Sequence, residues 1–473
     1  MEARNHHVIL FPFMAQGHIT PFLLLAKKIH QRNPNYTITL VNTPLNIQKL
    51  KSSLPLNSNI QLKSLPFQSS AHGLPPETET TATLPFPLII NLLQASETLQ
   101  PAFDQLITDI TRQDGCPPLC IIADHFLGWT VEVARKFGVF HAIFLTCGAY
   151  GGSVYFSLWK NLPHTVTTSN KIPLPEFPGI YVHRSQLPKH LIAADGTDAW
   201  SIFVQRQITF CMKSDAMLTN TVEEFERLGI GMLQKLLQIP VWSIGPLLRL
   251  SASNSIEITL LQWLDSHPTA SILYLSFGSQ NTISASQMME LAMGLEASGT
   301  SFIWAIRPPL GSDIKGDFKS EWLPDGFEDR MRERNQGILL HGWAPQVEIL
   351  SHPSVGAFLS HCGWNSVLES LICGVPIIGW PLTGDQLYNS KFLEEEVGVC
   401  VEVARGISET VRKERVKKVI EMVMNGDEMR RKAREMAKVL RSALKDETNG
   451  AGEGRVGSSA RGLDEFLKVA VSS

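Results

Sequence analysis

The stretch Val355-Gly356-Ala357-Phe358-Leu359-Ser360-His361-Cys362-Gly363-Trp364-Asn365-Ser366-Val367-Leu368-Glu369 reads as a strand that turns directly into a helix. Val355–Leu359 is a short apolar run of the length a buried strand needs. The turn His361–Ser366 opens the helix, and Glu369 lies nearly one turn beyond Ser366, so the two face the same way. A strand feeding a helix is half of a βαβ unit, the building block of a parallel sheet.

The same rhythm continues in both directions. Downstream, Pro376–Trp380 and Val399–Val403 read as strands; upstream, so do Ile272–Phe277, Phe302–Ile306 and Ile338–Leu340, with Gln287–Ala297 as a helix between the first two. Earlier in the chain the strand candidates are Val8–Phe13, Thr37–Asn42, Ile60–Leu65, Leu119–Ala123 and Ala142–Leu145, with helix-like stretches at Pro21–Gln31 and Leu84–Ile110. Between the two sets, Gly245–Glu257 breaks into Gly-Pro and a Ser/Asn-rich segment, which marks a linker. Asn449–Ser459 is Gly/Ser-rich and reads as a flexible tail before a short amphipathic stretch, Leu463–Val469. An α/β chain of two Rossmann-like domains is expected: residues 1–245, a linker 246–257, residues 258–455, and a tail 456–473 able to pack back on the first domain.

Composition supports two packed cores. The chain has 473 residues, 44% of them hydrophobic and 18% charged, which argues against global disorder. A formal net charge of −3 gives no electrostatic case for nucleic acid or an anionic membrane surface. The seven cysteines are scattered and contain no Cys-x-x-Cys, so reduced, mostly buried thiols are expected in place of disulfides or a zinc site. No segment approaches the roughly 20 apolar residues of a membrane span, and Val8–Phe13 is too short for a signal peptide. A cytoplasmic monomer is expected, with the Asn35 sequon unglycosylated.

Ligands of open α/β sheets sit beyond the carboxyl ends of the strands. The first strand ends in Phe13-Met14-Ala15-Gln16-Gly17-His18, and an imidazole there suits a general base near neutral pH. The plainer alternative is a loop histidine bonded to backbone. Asp124 follows Leu119–Ala123; on the far imidazole nitrogen it would fix the tautomer and stabilise the imidazolium, or it would simply cap the next helix. Spacing leaves both open and does not establish that His18 and Asp124 touch.

In the second half, the free N–H groups and positive end of the helix after His361 suit a diphosphate. The side chains of His361, Asn365 and Ser366 add donors, and Gly363 permits close backbone approach. A carboxylate at Glu369 can accept both hydroxyls of a ribose. Trp343 offers a flat face for stacking a planar ring, Ala344 and Gln346 can meet the polar edge of such a ring or a ribose, and Asp385 and Gln386 suit sugar hydroxyls. Each has a duller alternative: Trp343 as core, His361 as a satisfied strand-end residue, Glu369 as a surface charge.

Taken in order, Trp343-Ala344-Pro345-Gln346-Val347-Glu348-Ile349-Leu350, Ser360–Ser366, Glu369 and Trp380-Pro381-Leu382-Thr383-Gly384-Asp385-Gln386 closely resemble the signature box of plant secondary-product UDP-glycosyltransferases. Gly17-His18, Asp124 with Trp129, and Ser276-Phe277-Gly278-Ser279 carry the resemblance across most of the chain. It implies a GT-B fold, two facing Rossmann-like domains with the active site in the cleft. It also implies inverting transfer from a UDP-sugar, with His18 as base assisted by Asp124. Thr146, Ser279 and the Trp364 backbone would also contact sugar or phosphates. Asp385-Gln386 matches members that use UDP-glucose, whereas a final His is associated with galactose. The implied partners are UDP-glucose as co-substrate and a small lipophilic acceptor: a flavonoid, another phenolic or a terpenoid. No cofactor is implied, and no Asp-x-Asp occurs to bridge a metal to the diphosphate. The acceptor pocket is expected from Leu84–Leu93, Phe126, Tyr150–Trp159 and Phe177–Leu191. Alternatives are C-glycosylation of a phenolic ring, a non-catalytic UDP-sugar binder, and a dinucleotide oxidoreductase. The last is disfavoured because Gly229-x-Gly231 lacks a third glycine and follows no clear strand.

Overall fold

Two parallel sheets organise the computed structural model, which describes residues 6–54, 59–248, 256–313, 316–404, 410–445 and 456–473. The first sheet takes β1 (His7–Phe11), β2 (Thr37–Asn42), β3 (Ile60–Ser64), β4 (Cys120–Asp124) and β5 (Phe140–Leu145). A small antiparallel pair follows, β6 (Lys171–Pro173) and β7 (Tyr181–His183), and then β8 (Ala216–Thr219) and β9 (Val241–Ser243) complete the sheet in the order β3-β2-β1-β4-β5-β8-β9. The second sheet has the order β12-β11-β10-β13-β14-β15, from β10 (Ile272–Ser276), β11 (Ser301–Ile306), β12 (Gly337–His341), β13 (Val355–Ser360), β14 (Ile377–Gly379) and β15 (Cys400–Glu402). The central strands β1, β4, β5, β10 and β13 are buried along their whole length. Helices on both faces explain why they read as continuous apolar runs and not as alternating ones.

Strand order reverses between β1 and β4 in one sheet and between β10 and β13 in the other. At these points Phe11 pairs with Ala123 and Ser276 with Ser360. A crevice opens at each reversal, beyond the carboxyl ends of the two strands.

Several elements differ from expectation. The first helix starts at Gln16, not Pro21, so His18 stands in its first turn. Pro21 lies inside that helix and removes the amide that would have bonded to Gly17. The expected Leu84–Ile110 helix is broken into a 3₁₀ turn Phe86–Leu88 and helices Ile89–Glu97 and Gln100–Asp114. Pro101, in the first turn of the last, has no amide for the Glu97 carbonyl. Ser458 and Ser459 are not tail but the start of a helix, Ser458–Ser472. Residues 449–455 of the expected tail and 249–255 of the linker lie outside the described residues.

The final helix returns to the first domain. Leu463, Phe466 and Leu467 join Phe22, Phe140 and Phe144 in one core, and Asp464 pairs with Arg32. The domains also share apolar packing across the cleft: Tyr150 stacks on Phe392 at 5.1 Å, and Phe225 meets both Phe392 and Trp364. Among the described residues no helix is long and apolar enough to cross a membrane.

Candidate active site

A cavity of about 380 Å³ lies between the domains, lined by residues that follow both strand reversals. His18 enters it from the first domain. Its Nδ1 lies 2.7 Å from Asp124 Oδ2 and 3.3 Å from Thr146 Oγ1, and its side chain keeps 21% exposure while Asp124 has none. Asp124 ends β4 beside the start of the His18 helix because β1 and β4 are neighbours. Its second oxygen accepts the Phe126 amide at 3.1 Å, capping the 3₁₀ turn His125–Leu127. The carboxylate therefore makes both contacts that spacing left open.

Electrostatics favour a charged pair. Burial lowers the His18 pKa, but the Asp124 charge and hydrogen bond, helped by the charge of Asp385, outweigh it and raise the pKa above 6.5. Burial likewise raises Asp124, and His18, His125 and the Phe126 amide more than reverse this, leaving it below its ordinary value. His125 was not anticipated, although it adjoins Asp124 in sequence. Its ring stacks on His18 at 5.7 Å, and its Nδ1 is 3.3 Å from Asp124 Oδ1. Burial, only partly opposed by Asp124, pushes its pKa down to about 4, so this second imidazole is neutral.

From the second domain comes the N-terminus of the helix Trp364–Ile372, which no side chain caps. Gly363, Trp364, Asn365 and Ser366 all line the cavity. An open helix start of this kind presents N–H groups and a partial positive charge to an anion. In the preceding turn buried Cys362 adopts φ 61°, a strained conformation for a residue with a side chain, while Gly278, opposite, takes φ 80° freely. His361 is clamped between two glycines. A Cβ would fall 2.7 Å from its ring at Gly278 and 2.4 Å from its Nε2 at Gly363. Burial, against a backbone bond to Ser276, holds the His361 pKa down to about 4, so it offers the site polarity and not charge. Ser279 also lines the cavity, and its carbonyl accepts Arg307 at 2.8 Å.

Trp364 divides its roles. It lines the cavity, and its indole crosses to the first domain, donates to the Asn220 carbonyl at 2.7 Å and stacks on Phe225. Gly148 makes room, since a Cβ there would lie 2.9 Å from the ring. Asn365 also crosses, donating to the Gly17 carbonyl at 3.2 Å. Asp385 accepts from Asn389 at 2.9 Å, and burial, opposed by Asn389 and His18, raises its pKa. The Gln386 carbonyl oxygen is occupied by the Leu382 and Thr383 amides at 3.0 and 3.2 Å, so the side chain fixes the loop.

Trp343, Ala344, Gln346 and Glu369 do not line the cavity; Gln346, and through it Glu369, adjoins it at Ser366. Gln346 Nε2 donates to Ser366 at 3.0 Å and to Glu369 at 2.6 Å, and its oxygen accepts from Tyr274, which sequence reasoning missed. Trp343 is 66% exposed and presents an open face there. On the opposite side the cavity is walled by Phe13, Phe86, Phe126, Tyr155, Phe156 and Trp200. Within Phe177–Leu191 only His190 reaches it, and Thr81, Cys147 and Trp200 fall outside the expected segments.

Two parallel-sheet domains of matching strand order, facing each other across this cleft, define a GT-B glycosyltransferase fold. Comparison with known proteins then gives the family. The model of the UDP-glucoronosyl and UDP-glucosyl transferase family matches residues 252–442. UDP-glycosyltransferase 92A1 of Arabidopsis thaliana is 42% identical over 99% of this chain and 98% of its own. Crocetin glucosyltransferase 3 of Crocus sativus is 48% identical over 89% of this chain and 90% of its own. Among solved structures, UGT71G1 of Medicago truncatula, complexed with UDP-glucose, superposes with a TM-score of 0.82 at 27% identity, covering 99% of this chain and 98% of that one. The chain belongs to the plant UDP-glycosyltransferase family and is a glycosyltransferase.

Proposed function

We propose that the enzyme transfers glucose from UDP-glucose to a hydroxyl of a small lipophilic acceptor, with inversion at the anomeric carbon. The observation that carries this reading is the 2.7 Å His18–Asp124 pair, opening into the same cavity as the uncapped helix start at Gly363. His18 Nε2 takes the acceptor proton, the acceptor oxygen attacks, and UDP leaves toward the helix N-terminus. Asp124 holds the imidazole tautomer and stabilises the imidazolium. Glu369 and Gln346 hold the ribose, Trp343 stacks on uracil, and Thr146, Asp385 and Gln386 meet the sugar. Relatives with glucosyltransferase names and a UDP-glucose-bound neighbour support the donor. The aromatic wall supports a flat, apolar acceptor, of which phenols are the easiest to deprotonate at a pKa of about 10.

UDP release from UDP-glucose with a phenolic acceptor panel tests the reading. His18→Ala should lose about 10²–10⁴ in rate while still binding UDP-glucose; wild-type turnover would eliminate the base. Transfer is also proposed to need no metal, because the helix start serves the diphosphate. Activity should survive excess EDTA, and loss restored by magnesium or manganese would contradict it.

A further inference from the structure

Among the described residues, one group of three possible metal ligands stands together: His18, Asp124 and His125, whose ligand atoms all lie within 4.8 Å of one another. Two imidazoles flank one carboxylate, each near a different oxygen. A separate observation points to a missing partner. His125 is 7% exposed, lines the cavity, and leaves Nδ1 buried with no hydrogen bond, although Asp124 Oδ1 is only 3.3 Å away. An orphaned buried nitrogen facing a carboxylate oxygen is a place for an ion. Two histidines and one carboxylate, with a fourth position open to a cavity, match the ligand set and openness of three-ligand zinc sites. Ligand atoms around zinc stand about 3.3–3.6 Å apart for bonds of roughly 2.0–2.2 Å, so small side-chain adjustments close the triangle.

We infer that His18, Asp124 and His125 form an inhibitory site for zinc-like divalent cations. The ion takes the place of the Nδ1 proton of neutral His18 while Nε2 takes up one from solvent, so no net proton is released. With metal on one nitrogen and a proton on the other, His18 has no lone pair for the acceptor hydroxyl. The metal site rests on geometry alone, whereas the inhibition rests on His18 being the base.

Zinc chloride titrated calorimetrically into the full-length enzyme, with anomalous scattering from zinc-soaked crystals, locates the ion. UDP release measured in the same zinc series, each variant against its own metal-free rate, reads the inhibition. One ion on the three residues is expected, with inhibition reversed by EDTA. His125→Phe should raise the half-inhibitory zinc concentration at least about tenfold, and His125→Gln serves if the phenylalanine variant does not fold. Equal sensitivity of wild type and variant, or an anomalous peak elsewhere, would overturn the site. Zinc bound at the three residues with transfer unimpaired would leave the site standing and remove His18 as base.

Discussion

Asn365 donates its side-chain amide to the Gly17 carbonyl at 3.2 Å across the interdomain cleft, and that carbonyl is open because Pro21, four residues on, has no N–H. An interior proline, ordinarily a cost of about 3 kcal/mol to a helix, here leaves an acceptor for the other domain. Pro21→Ala would supply the helical bond and compete for Gly17. The variant is expected to melt higher than wild type while its KM for UDP-sugar rises by roughly fivefold, the equivalent of one hydrogen bond of about 1 kcal/mol. A higher melting point with unchanged KM would show that the cross-cleft bond does not serve donor binding.

The His18–Asp124 pair has a pH signature. His18 must be neutral to accept a proton, and its pKa is raised above 6.5, so kcat/KM should climb with pH through a limb above that value. Removing the Asp124 charge leaves burial, which pulls the imidazole down. Asp124→Asn should therefore lower the plateau rate and move the limb to lower pH. An alcohol acceptor keeps the substrate from titrating. A limb that stays put would separate Asp124 from the base.

Stability linkage follows the same signs. The raised His18 pKa contributes stability that is full below 6.5 and fades as pH rises through the folded value. The lowered Asp124 pKa contributes stability above the ordinary carboxylate range, lost as pH falls through the folded value. In Asp124→Asn both contributions vanish together, so its melting-temperature deficit should peak between the two pKa values and shrink at either extreme. A deficit independent of pH would instead reflect the lost Phe126 cap alone.

Gly363→Ala tests the clamp on His361. The new methyl would lie 2.4 Å from Nε2, although the φ of −61° suits alanine. Relieving that overlap costs about 1–3 kcal/mol, and the displaced imidazole and turn should weaken UDP binding by roughly five- to 150-fold while acceptor binding is spared. UDP titration and a thermal melt distinguish this from unfolding; wild-type affinity would mean the turn absorbs the methyl freely.

For donor choice, Gln386 holds its loop by its oxygen, and the proposed role gives its amide group to the sugar. Gln386→Glu retains the acceptor oxygen for Leu382 and Thr383 but cannot donate, so kcat/KM for UDP-glucose should fall by an amount corresponding to about 1–3 kcal/mol. Gln386→His should erode the preference for glucose over galactose. Direct competition between the two donors measures it, and a galactose product dominating in wild type would refute the glucose assignment.

Much of this was legible because central parallel strands are buried on both faces and so appear as unbroken apolar runs; β2 begins and ends where its pattern did. The edge strand β9, Val-Trp-Ser, is too short to carry such a signal. The box from Trp343 to Gln386 stood out by its resemblance to the family's signature, since each of its residues taken alone allowed a duller reading. The role of the Trp364 indole was not legible, since Asn220, Gly148 and Phe225 come from distant parts of the chain and only packing brings them together. His125 was missed for the opposite reason: next to a stronger candidate, it looked like a flanking residue.

The last helix, Ser458–Ser472, fills a flank of the first domain with Leu463, Phe466 and Leu467. In chain order those side chains follow every other described element. Until they arrive, Phe22, Phe140 and Phe144 have no cover on that side, and domains otherwise fold as they are made. The first domain therefore begins assembling before the second but is completed only by a helix that follows the second in the chain.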